Sequence, residues 1–118
     1  MAHALIIGDN ILMGRTIQSR LETLGFSSFD RSWSEEQAVA AASCRPPDLI
    51  VIGDAIEGGS AVSAARRITR SRAVPVLMMT VDPDRPGASM AAGESFDGPY
   101  RPDQIGEALR QANKPDAA

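Results

Sequence analysis

Two aspartates sit where apolar runs give way to turns. Pro47-Asp48-Leu49-Ile50-Val51-Ile52-Gly53-Asp54 carries a carboxylate out of an apolar segment and into the turn Glu57-Gly58-Gly59-Ser60. The chain opens the same way, with Ala4-Leu5-Ile6-Ile7-Gly8 releasing Asp9 and Asn10 ahead of a helical pattern. In open parallel sheets, ligands bind beyond the carboxyl ends of the strands, where the strand order reverses. If these two strands are neighbours, Asp9 and Asp54 form one acidic site. Little else in the chain offers chemistry. His3 and Cys44 are each the only residue of their type, which excludes an internal disulfide and a Cys-rich zinc site and leaves no triad to assemble. His3 reads as a solvated side chain near a chain start, and Cys44, beside Pro46-Pro47, as an inert, partly buried thiol. Neither a Gly-x-Gly-x-x-Gly fingerprint nor a Gly-Lys-Ser/Thr phosphate loop occurs, so a nucleotide-binding enzyme has little support.

The elements that must position these acids alternate between apolar runs and helical periods. Five strands, each followed by a helix, give an α/β class with a doubly wound parallel sheet. The first strand is expected at Ala4 to Gly8, and the next helix spaces Met13, Ile17, Leu21 and Leu24 by four and three before Gly25 supplies a left-handed cap. A short second strand lies within Phe26 to Trp33, where Phe29 and Trp33 fill core or edge space. Ser34 and Gln37 then make a capping box for a helix over Glu35 to Ser43, which Arg45-Pro46-Pro47 stops. Leu49 to Gly53 is continuously apolar, as a strand covered on both faces should be. Ser60 can cap a third helix with Val62, Ala65 and Ile68 inward, and Val74 to Thr80 is the fourth strand. Asp82-Pro83-Asp84-Arg85-Pro86-Gly87 is hostile to a helix and leaves a short or mobile fourth one at Ala88 to Ala92. A fifth strand is expected at Glu94 to Asp97. Gly98-Pro99-Tyr100 then turns into a last helix with Pro102 first and Ile105, Leu109 and Ala112 inward.

The 118 residues suit a single domain, with a core expected over 3–112 and a frayed tail over 113–118. Hydrophobic content of 43% and charged content of 23% are those of a water-soluble globular chain, and no apolar stretch is long enough to span a bilayer. No secretory signal is visible, so the expected compartment is the cytoplasm, without a membrane partner. A net charge of −3 argues against nucleic acid as a partner. Arg66, Arg67, Arg70 and Arg72 cluster, but no aromatic residues interleave with them, and they read as a solvated helix face.

Over nearly its whole length the chain resembles the receiver domains of two-component response regulators. Ile6-Ile7-Gly8-Asp9-Asn10 stands where that family has a strand ending in an acidic pair, and Pro47 to Asp54 where it has the phosphoaccepting aspartate. Pro75-Val76-Leu77-Met78-Met79-Thr80 matches the strand that delivers the switch Thr or Ser, and Gly98-Pro99-Tyr100-Arg101-Pro102-Asp103-Gln104-Ile105 resembles the Lys-Pro-aromatic turn and final helix. The resemblance implies a flavodoxin-like fold with strand order 2-1-3-4-5 and helices on both faces. It further implies a stand-alone domain that takes a phosphoryl group on Asp54 in a phosphorelay. Mg²⁺ would be held by Asp9, Asp54 and the backbone carbonyl of Ile56, with Thr80 as the switch. Its partners would be a histidine kinase or phosphotransfer protein and a downstream output protein, and any catalysis would be confined to its own phosphorylation and dephosphorylation.

Departures from the pattern fall on the same site. Gly98 replaces the family's lysine, and the only lysine in the chain is Lys114. Gly8 replaces the first acid of the pair. One acid and one base are absent together, so the formal charge of the site is unchanged. Asn10, Ile56, Asp82 and Pro99 are further modulating positions. Ser95 occupies the usual place of the switch aromatic with Phe96 one residue on, so Phe96 is either a displaced switch or core packing. Retention of Asp9, Asp54 and Thr80 favours a phosphoacceptor. Loss of the lysine favours a pseudo-receiver that binds partners without phosphorylation.

Overall fold

The computed structural model of the protein describes residues 2–8, 11–53, 61–71, 74–79, 97–100, 104–107 and 109. Within them run β1 (Ala2–Ile7), α1 (Ile11–Thr23), β2 (Phe26–Ser32), α2 (Glu35–Cys44), β3 (Leu49–Ile52), α3 (Ala61–Thr69), β4 (Val76–Met79) and β5 (Asp97–Tyr100). The strands form one parallel sheet in the order β2-β1-β3-β4-β5. The chain steps outward from β1 to β2 and then returns to β3 on the other side of β1. The order therefore reverses between β1 and β3, the two strands that lead to Asp9 and Asp54.

Strand parity sorts the core into two layers. Ala4, Ile6, Leu49, Val51, Leu77 and Met79 pack with Met13, Ile17 and Leu21 of α1 and with Ile105 and Leu109. Leu5, Ile7, Ile50, Ile52, Val76 and Met78 pack with Ala38 of α2 and with Ala61, Ala64, Ala65 and Ile68 of α3. The three inner strands are apolar at every core position because both of their faces are covered. Each fully buried aliphatic side chain contributes about 1.5–3 kcal/mol, so this double layer drives folding.

Helix ends follow local chemistry. Gly25 has φ of 104°, the left-handed conformation expected after α1. The helix stops at Thr23, leaving Leu24 exposed rather than on its inner face. Ser34 Oγ accepts from Gln37 N at 3.2 Å, but the Gln37 side chain accepts from Trp33 N at 2.9 Å, one residue upstream of the reciprocal box expected. Arg67 joins α3 to α2, donating to Glu35 Oε2 at 3.0 Å and Glu36 Oε2 at 2.6 Å. Bonding to Glu36 and then Glu35 raises its pKa above the usual guanidinium value. Arg66 and Arg70 are exposed, as a solvated face requires, and Arg72 lies outside the described residues. Val62 is half-buried while Ala61 and Ala64 take the inner positions beside it.

The larger corrections fall on the sheet. β5 occupies Asp97–Tyr100, not Glu94 to Asp97, so Gly98 and Pro99 lie in a strand instead of a turn. Leu77 pairs with Asp97 and Met79 with Tyr100, which inserts an extra residue into β5. Pro99 has no N–H for a regular ladder, and an irregular edge strand is where a proline is tolerated. β1 starts at Ala2, two residues earlier than expected, and β4 is shorter than Val74 to Thr80. Trp33 and Cys44 are exposed. Phe29 packs partly buried against the α1-side core. The expected fourth helix at Ala88 to Ala92, the Ser60 cap, Ala112 and the tail lie outside the described residues.

Candidate functional site

Three inner strands stop at one level. Ile7 pairs with Ile52, and Ile52 with Met78, giving a row across β1, β3 and β4. Asp9, Asp54 and Thr80 each follow a member of this row by two residues in sequence. Gly8 and Gly53 bridge the gap to the two acids. Gly8 N donates to Ser32 O at 2.9 Å and Gly53 N to Ile7 O at 2.8 Å. A Cβ placed on Gly53 would lie 3.8 Å from Gly8 Cα, which measures how closely the two strand ends run. Of the predicted site residues, the structure describes Gly8 and the backbone at Gly98 and Pro99. Asp9, Asn10, Asp54, Ile56, Thr80, Asp82 and Phe96 lie outside the described residues.

Among the described residues, no group of three His, Cys, Asp or Glu could hold a metal ion. The strands that lead to Asp9 and Asp54 are direct neighbours. Adjacent strands run about 4.8 Å apart, a spacing at which carboxylates carried at equivalent positions can share a hard divalent cation.

A residue that sequence patterns do not single out stands beside this edge. Arg31 of β2 pairs with Ile6 and sends its guanidinium over the first turns of α1, where Nη2 donates to Ile11 O at 3.4 Å. A Cβ on Gly14 would come within 2.8 Å of that nitrogen. Gly14 has no positive φ to explain it, so its role is the space it leaves. The signal in the sequence is a glycine in mid-helix, where it costs about 1 kcal/mol relative to alanine. Ile11, Leu12 and Trp33, which follow the ends of β1 and β2, are large exposed apolar residues.

The opposite end of the sheet holds a second polar group, and it corrects the reading of His3 as solvated. His3 is only 5% exposed. Its Nε2 lies 2.9 Å from Asp30 Oδ2 and its Nδ1 2.8 Å from Ser28 Oγ. A carboxylate only accepts, so Nε2 donates to Asp30, while Nδ1 and the Ser28 hydroxyl share a hydrogen bond. Arg45 Nη1 donates to Ser28 Oγ at 3.1 Å. The His3 backbone N donates to Asp48 Oδ2 at 2.9 Å, and Asp48 N to His3 O at 2.7 Å. An extra residue in β2, where Ala2 pairs with Phe26 but His3 with Ser28, brings the hydroxyl opposite the ring. Ser28, His3 and Asp30 have the order of a catalytic relay, but the ring is buried and the Ser28 oxygen already takes a cationic donor. The cluster joins β1, β2 and the start of β3.

No family model matches the chain, and no curated protein matches it. Solved structures do. The N-terminal domain of a response regulator/sensory box/GGDEF protein from Carboxydothermus hydrogenoformans shares 21% identity at a TM-score of 0.72, over 93% of this chain and 92% of that one. A CheY-like response regulator receiver domain from Methylobacillus flagellatus shares 21% at 0.73, over 95% and 98%. The response regulator PhyR from Brucella abortus shares 21% at 0.76, over 95% of this chain, which spans 48% of PhyR. The chain has the fold of response-regulator receiver domains, the flavodoxin-like α/β fold. Among the described residues, no helix is long and apolar enough to cross a membrane.

Proposed function

We propose that this domain is an atypical receiver that accepts a phosphoryl group on Asp54 and signals through contacts with other proteins. The observation that carries the reading is the row Ile7, Ile52 and Met78, from which Asp9, Asp54 and Thr80 are each two residues distant. In the step proposed, an Asp54 carboxylate oxygen attacks phosphorus and forms an O–P bond. The donor's P–N bond breaks, and its electron pair leaves with the imidazole of a phosphohistidine. With a small acyl phosphate the broken bond is P–O, and a carboxylate leaves. Asp9, Asp54 and the Ile56 carbonyl would hold Mg²⁺, which would supply positive charge against the oxygens of the transferred group. Thr80 donates its hydroxyl to that group and carries the change outward. The exposed Ile11, Leu12 and Trp33 support contacts with a kinase or phosphotransfer protein inside the cell.

Gly98 favours a second reading, a pseudo-receiver that binds its partner unphosphorylated, because no lysine is present to meet the phosphoryl oxygens. Intact mass after incubation with Mg²⁺ and acetyl phosphate separates the two. The phosphoacceptor gains one phosphoryl group in the wild type and none in Asp54→Asn, whereas a pseudo-receiver gains none in either.

A further inference from the structure

We propose that Arg31 supplies positive charge to the acidic edge of the sheet through the field, distinct from the contact role left open by Gly98. The inference rests on the phosphoacceptor reading of Asp54 and adds to it a residue on the opposite flank of β1. Arg31 is half-buried and carries a full positive charge, yet among the described residues it has no carboxylate partner, only a long bond to the Ile11 carbonyl. A cation over the first turn of a helix is repelled by the helix dipole, so local structure does not account for its place. The seat is nevertheless built, because Gly14 gives up a Cβ that would fall 2.8 Å from the guanidinium. What lies next along the chain from both elements explains the charge. Ile11 follows Asp9 and Asn10, and Arg31 is paired with Ile6 of the strand that ends in Gly8-Asp9. On that reading, Asp9, Asp54 and an incoming phosphoryl group would bring strong negative charge to the strands that end in Gly8 and Gly53. Arg31 is positioned to lower that potential through the field, without touching the transferred group. At separations of about 10 Å near a protein surface, one charge changes a rate or an affinity by about two- to tenfold, less at high salt.

The test uses the full chain in low salt and measures two quantities, the initial rate of labelling by acetyl phosphate in Mg²⁺ and the affinity for Mg²⁺ followed by Trp33 fluorescence or the Gly8 and Gly53 amides. Arg31→Gln should slow labelling about two- to tenfold and tighten Mg²⁺ binding by a similar factor, while Arg31→Lys keeps both near wild type. Gly14→Ala should displace the guanidinium and give the same two shifts without lowering the melting temperature, since alanine favours the helix. A purely structural arginine would lose stability and would not move rate and affinity in opposite directions. If labelling proceeds but Arg31→Gln alters neither quantity by twofold, or moves both the same way, Arg31 has no such role and the phosphoacceptor reading stands. If neither wild type nor Gly98→Lys is labelled, that reading fails. Mg²⁺ affinity then decides on Arg31 alone: tighter binding in Arg31→Gln upholds the charge role, and unchanged or absent binding overturns it.

Discussion

The two ends of one sheet handle charge in opposite ways. At the end where the strands begin, His3, Ser28, Asp30, Arg45 and Asp48 are linked by hydrogen bonds of 3.1 Å or less around the buried His3. At the end where they finish, two glycines hold the backbone together, Arg31 lacks a carboxylate among the described residues, and two aspartates follow in sequence. These bonds commit the buried His3 ring to the fold, since an unpaired buried polar group is costly. An end with capacity left over can receive a ligand. The contrast also separates the sheet's edges from its interior, because register shifts occur in the β1/β2 and β4/β5 pairs and not in the pairs β3 makes.

The sharpest way to widen the contrast is to restore the missing base. Gly98→Lys should accelerate labelling of Asp54 by about tenfold or more, in line with what an electrostatic donor aimed at developing charge contributes, and timed intact-mass spectra measure it. The same substitution should leave the His3 amide unshifted. Breaking the hydrogen bonds at the other end should act on stability instead. His3→Ala removes the ring between Ser28 and Asp30 and should lower unfolding free energy by about 1–3 kcal/mol in a denaturant titration, with the Mg²⁺ affinity unchanged. Ser34→Ala removes the cap of α2, two residues past the end of β2, and should cost about 1 kcal/mol in the same titration. Returning an acid with Gly8→Asp should tighten Mg²⁺ binding several-fold by adding a ligand charge, a smaller effect that calorimetry can read.

The same contrast separates what is legible in the sequence from what is not. Apolar runs and helical periods place β1, β3, β4, α1, α2 and α3, because each inner strand is buried on both faces and α1 and α2 carry a local stop or cap. The pairs Gly8-Asp9 and Gly53-Asp54 mark the carboxyl end by local pattern alone, an apolar run closing on glycine and acid. β5 lies three residues beyond its expected start because Pro99 reads as a turn, whereas the sheet absorbs it with an inserted residue at an edge. His3 resembles a solvated side chain for a different reason: its ring partners lie 25 and 27 residues away and meet it only through the irregularity in β2. Arg31 escapes notice because a solvated arginine and a seated one look alike until Gly14 is placed beneath it.

Residue-resolved amide shifts on adding Mg²⁺ and acetyl phosphate test the difference between the two ends most directly. The account predicts shifts at Gly8, Gly53 and Met79, at the ends of β1, β3 and β4, with His3, Ser28 and Asp30 unmoved. Shifts centred on His3 and Ser28, or no shift at Gly8 and Gly53 at millimolar Mg²⁺, would contradict it.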